Sequence, residues 1–176
     1  MSTTVDAVLP RPGALWRAGL LGLAGLAALV VEIAPISLSP YALPAPALVP
    51  LVVAAVALRR PEAAMVPVVL ALGLTRDLVG DGPPGAGALA LVLGSEALRR
   101  LSPGLARASF AREWATLGAV LFAMLALEYA LVLAALAQPP YVMAVVRQGA
   151  LSLAVWPLVR LPLGRGLGRR PAGERP

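Results

Sequence analysis

LALGLTRDLVGDGPPGAGALALVLGSEAL, from Leu70 to Leu98, runs an apolar helix into an Arg-Asp pair, turns through glycines and prolines, and re-enters apolar sequence. Gly80, Gly82, Pro83, Pro84 and Gly85 form the turn, because glycine permits positive φ and proline fixes φ while removing a donor. The Arg76-Asp77 pair lies between two helices of membrane-grade hydrophobicity. Ionisable side chains inside a bilayer are costly and rare, face the protein interior, and mark a candidate functional site.

The rest of the chain has the same character. Of its 176 residues 59% are hydrophobic and 14% charged, with a mean hydropathy of +0.83. A soluble domain is about 45–50% apolar and about 25% charged. The excess predicts a polytopic all-α membrane protein forming one domain. The first residues lack a basic stretch followed by a small-residue cleavage site, so the first apolar segment is expected to be retained. With no cysteine and no histidine, disulfides, thiol chemistry, Cys/His zinc sites and histidine acid–base catalysis are excluded. No cofactor or metal cluster is expected. The net charge of +6 comes from arginine alone, and with so much Ala, Gly, Pro and Leu this bias reads as base composition rather than nucleic-acid binding.

A spanning helix needs about 20 apolar residues. The candidates are Leu15–Ile36, Tyr41–Leu58 (with Pro44, Pro46 and Pro50 in its early turns), Ala63–Val79, the shorter Ala86–Leu98, Trp114–Ala137 and Val142–Leu163. They give a bundle of about six transmembrane helices over 15–163, after a cytoplasmic segment 1–14 and before a basic tail 164–176 expected to be disordered. Arginines cluster before the first segment (Arg11, Arg17), after the second (Arg59, Arg60), after the fourth (Arg99, Arg100, Arg107, Arg112) and in the tail. The loops around Ser37–Ser39 and Gln138–Tyr141 carry no charge. Since cytoplasmic loops hold the basic excess, both termini are predicted to be cytoplasmic.

Few groups are left for chemistry. Arg76 and Asp77 form either a substrate or partner site or a charged helix end; adjacent residues on a helix need not pair. Glu128 and Arg147, at similar depth on either side of the Gln138–Tyr141 turn, are expected to form a buried ion pair, since either alone carries an uncompensated desolvation cost. Glu32 shares that half of the bundle, so an outward polar pocket with Arg76, Asp77, Glu128 and Arg147 is conceivable. Glu96 should meet Arg99 and Arg100, three and four residues on. Ala86, Ala90 and Gly94 form a small-residue stripe, suited to close internal packing or to contact with a partner helix. No H-E-x-x-H, G-x-S-x-G or phosphate-loop pattern is present, and the Gly80–Pro84 turn keeps Asp77 and Asp81 from converging as a dyad. No catalytic residue is predicted.

Gly73, Asp77, Leu78, Gly82, Pro83 and Gly85, followed by apolar Ala88–Leu93, resemble the G-x-x-x-D-L-x-x-G-x-P-x-G-like hairpin of the rod shape-determining protein MreD family. Arg59-Arg60-Pro61 and the stretch from Gly149 through Trp156-Pro157 extend the resemblance over nearly the whole chain; Arg76 and the Pro-rich second segment depart from it. The resemblance implies a non-enzymatic component of the bacterial elongasome in the inner membrane. It implies docking to an MreC-like bitopic protein and links, direct or indirect, to MreB, RodA and a class B penicillin-binding transpeptidase. It also implies a fold like the substrate-binding subunit of energy-coupling-factor transporters. In that picture Gly73, Asp77, Gly82, Pro83 and Gly85 set the hairpin, and Ala86, Ala90 and Gly94 contact the partner. The alternative is a small-molecule, vitamin-type binding subunit of a membrane transporter.

Overall fold

The computed structural model describes residues 12–34, 45–80, 83–105, 108–135 and 140–166, with side chains described from 13 to 159. Among these residues there are six helices: α1 (Pro12–Ile33), α2 (Leu48–Arg59), α3 (Val66–Val79), α4 (Ala86–Leu105), α5 (Phe110–Ala134) and α6 (Val142–Gly166). The segment before residue 12, Gly82, Asp81, the Ser37–Ser39 loop, Gln138, Arg107 and the tail beyond Gly166 lie outside the described residues. α6 itself runs three residues into the expected tail.

The helices form an all-α bundle whose two ends are fixed by polar contacts. Near the start of α1, Arg17 reaches Glu62 in the α2–α3 turn, 3.2 Å away. Near the end of α1, Glu32 meets the first turn of α2 and the last turn of α3. α1 and α3 therefore run parallel, with α2 antiparallel to both. α4 reverses α3 and packs on α2, α3 and α5; α6 packs on α5 and α2.

Three helices are long and apolar enough to cross a membrane: Gly13–Ile33, Phe110–Ala134 and Val142–Val159. The bundle has the expected six helices, but among the described residues three rather than about six are long and apolar enough to span. α2 and α3 have 12 and 14 residues. At about 1.5 Å per residue they fall well short of a hydrocarbon core of about 30 Å. α4 has 20 residues, but its second half carries Glu96, Arg99 and Arg100. Large apolar side chains remain exposed on the three long helices, among them Leu23 and Val30 on α1 and Val146 and Leu158 on α6. Such faces suit lipid, and the chain is a multi-pass membrane protein.

α2 is the centre. Val49, Leu51, Val53, Ala54, Ala55, Val56 and Ala57 are all buried, so the helix is apolar around its whole circumference, as a fully enclosed helix must be. It begins at Leu48 rather than Tyr41, after the prolines at 44 and 46, and Pro50 sits in its first turn, where a missing N–H costs nothing. α5 begins four residues earlier than expected, because the Ser109 hydroxyl accepts the Arg112 N–H as an N-cap.

Pro103 and Pro157 stand inside helices, and each of these vacated carbonyls has a substitute donor. Pro103 cannot bond the Arg99 carbonyl, which accepts instead from the Ser102 hydroxyl at 2.8 Å. Pro157 leaves the Leu153 carbonyl open, and Trp114 Nε1 donates to it from α5 at 3.2 Å. The second substitution ties the start of α5 to α6. Glu96 bonds Arg99 at 3.1 Å and Arg100 at 2.8 Å, as their spacing on one helix requires.

Backbones approach closely where α3 meets α4. A Cβ placed on Gly73 would lie 2.5 Å from the Ala88 Cα, whereas one on Gly22 would meet nothing nearer than 3.8 Å. We expect Gly73→Ala to push the two helices apart and lower stability by about 1–3 kcal/mol, the range for overpacking a tight site. Gly22→Ala should be close to neutral, and thermal unfolding of the two variants in detergent compares them directly.

Candidate ion-triad site

Arg76 and Asp77, neighbours in sequence, both border Gly87 but do different work. Arg76 points across the bundle. Its Nε donates to Glu32 Oε1 of α1 at 3.2 Å, and its Nη1 donates to both carboxylate oxygens of Glu128 on α5 at 3.0 and 3.2 Å. The second oxygen of Glu32 accepts the Val49 N–H at 3.3 Å, one of the donors that the first turn of α2 leaves without a helical partner. One guanidinium thus joins α1, α3 and α5, and through Glu32 it also engages α2. The side chains are 10% (Glu32), 17% (Arg76) and 28% (Glu128) exposed, so the triad is largely shielded yet open on the Glu128 side.

Asp77 is buried and engages the start of α4. Its Oδ2 accepts the N–H of Gly85 at 2.9 Å and of Ala88 at 3.0 Å, capping the start of α4 from the preceding helix. A carboxylate here satisfies donors that the helix leaves orphaned and complements the positive end of its dipole. Gly85 has φ +98°, a left-handed conformation that favours glycine. Gly87 leaves room for Asp77 Oδ1, which a Cβ at that position would strike. The hairpin residues thus have separate mechanical roles. Gly73 brings the helices together, Asp77 caps the return helix, and Gly85 makes the turn.

The expected pairing of Glu128 with Arg147 is not formed. Glu128 takes Arg76, while Arg147 is exposed on α6 and makes no ion pair among the described residues. Arg76 faces Glu128 across the bundle, whereas Arg147 faces outward, and facing decides between them. The Ala86, Ala90 and Gly94 stripe also differs from a partner surface. All three residues are buried inside the bundle, and Gly94 lies against Met124 of α5. Their small size lets α4 approach its own neighbours.

Beside the triad is a cavity of about 570 Å³. Glu32, Arg76, Asp77 and Glu128 line it together with Tyr129 and Gln148, and Leu29, Leu125, Val132 and Val145 supply apolar wall. It lies at the end of the bundle opposite Arg17, Arg59, Arg60, Arg99 and Arg100. Tyr129 and Gln148 belong to no sequence motif. Their adjacency to Glu128 and Arg147 was the available signal, but nothing short of the packing of α5 on α6 orients them to the cavity. Among the described residues no group of three or more acidic side chains is arranged to hold a metal ion.

No protein-family model matches the chain, and no curated protein or solved structure is significantly similar to it.

We expect Asp77→Ala, which abandons both N–H groups at the start of α4, to destabilise the protein by about 0.5–2 kcal/mol, the range for a lost N-cap. Asp77→Asn keeps an acceptor oxygen and should cost clearly less. Unfolding midpoints in detergent, with limited proteolysis at the turn, measure the difference.

Proposed function

We propose that this chain is a non-enzymatic membrane scaffold of the MreD type. It works in the bacterial inner membrane by docking an MreC-like bitopic protein and so organising peptidoglycan synthesis in the elongasome. The observation that supports this reading most is the hairpin. Of the residues that carry the resemblance, Gly73 makes the α3–α4 contact, Asp77 caps α4 and Gly85 takes the left-handed turn conformation. The motif therefore has a structural use in this chain and needs no reaction to account for it.

On this reading the arginine-rich end faces the cytoplasm, in keeping with the basic excess of cytoplasmic loops, and both termini lie on that side. The cavity then opens outward, in the manner of the substrate-binding subunits of energy-coupling-factor transporters. Exposed apolar faces on α1, α5 and α6 offer lateral contact with lipid or with a partner's anchor. The buried stripe on α4 does not. MreB, RodA and the class B transpeptidase connect through the docked partner.

Depletion in a rod-shaped host should round the cells, and the tagged chain should co-purify a single-span periplasmic coiled-coil protein. Rods that persist after clean deletion, with no such protein recovered, would refute the scaffold.

A further inference from the structure

We infer that the cavity beside Arg76 binds a small organic cation with an apolar body. This goes beyond the scaffold reading and does not rest on it. The volume, about 570 Å³, falls within the range of about 300–1,000 Å³ common for small-molecule sites. Its lining has the usual composition of such sites, an apolar wall with a few convergent polar groups.

Charge decides the class of ligand. Arg76 is the one basic residue among the described lining residues, and its guanidinium is held between two carboxylates. Glu32 and Glu128 carry two negative charges against that single positive one, and Asp77 lines the same space. An anion entering here would meet a guanidinium already engaged on both sides and a carboxylate excess around it. A cation would offset that excess, and uncompensated charge is costly at membrane depth. Glu128 is the accessible member, and both its oxygens accept from the same Arg76 nitrogen. A carboxylate has about four lone-pair sites, so Glu128 retains acceptor capacity towards the cavity. Tyr129 adds an aromatic ring, to whose face a cation is attracted. Gln148 adds an amide, and Leu29, Leu125 and Val145 suit an apolar body.

The test uses the full chain in lipid nanodiscs, with calorimetric titration of three probes of matched shape: benzylammonium, benzyl alcohol and benzoate. Empty nanodiscs give the partition background. Benzylammonium should saturate at one site per chain above that background, and benzoate should show no saturable binding. Glu128→Gln should weaken benzylammonium by about tenfold, a change of about 1.4 kcal/mol, and leave benzyl alcohol unaltered. Should that variant fail to fold, the charge series on the unaltered protein decides, supported by weakened benzylammonium binding in Tyr129→Leu. Equal responses to all three probes, tighter binding of benzoate, no saturable benzylammonium binding, or an unchanged affinity in a folded Glu128→Gln protein would each overturn the inference. Cell shape and partner recovery are unaffected by any of these outcomes, so the two readings fail separately.

Discussion

A single guanidinium held between two carboxylates fixes one end of this bundle. Arg76 sits on α3, a helix too short to cross a membrane, and an arginine among apolar helices costs several kcal/mol unless it is paired and hydrogen-bonded. Glu32 and Glu128 meet that requirement from α1 and α5, two of the three membrane-spanning helices. The pairing therefore anchors a short helix to two long ones. The Val49 N–H on Glu32 extends the anchor to α2, the helix enclosed on all sides. At the other end Arg17 and Glu62 perform a similar tie, but these side chains are more than a third exposed, where an ion pair contributes little.

The second constraint is backbone hydrogen bonding where water is scarce. Every polar backbone group at membrane depth needs a partner within the protein. Asp77 supplies it for the start of α4, Ser102 for the carbonyl vacated by Pro103, and Trp114 for the carbonyl vacated by Pro157. Ser152 works in the same way from both of its roles, donating to the Gln148 carbonyl at 2.7 Å and accepting the Ala47 N–H at 2.8 Å. These side chains tolerate the prolines and short helices that composition alone would count against a stable bundle.

Much of this is readable from residues. Hydropathy and the Gly/Pro turn disclose a helical membrane protein and the α3–α4 hairpin, and the i+3 and i+4 spacing discloses the Glu96 pairs. Three things are not. Whether an apolar stretch spans, is enclosed or stops short depends on what surrounds it, so α2 reads as a span although it is a short enclosed helix, and α3 reads as one although it has 14 residues and leaves Leu70, Leu74 and Leu78 exposed. The partner of Glu128 depends on helix rotation, which depth matching cannot give, so Arg147 competes with Arg76 on equal terms in sequence. A small-residue stripe has the same spelling whether it packs inward or outward, and on α4 it packs inward.

Arg76, and not Arg147, is the charge that Glu128 holds. A double-mutant cycle in detergent unfolding, built from Arg76→Leu and Glu128→Leu, measures that coupling directly. A coupling of about 1–3 kcal/mol is expected for this pair, and less than about 0.5 kcal/mol for the same cycle with Arg147→Leu. Strong coupling of Glu128 to Arg147, with none to Arg76, would contradict it.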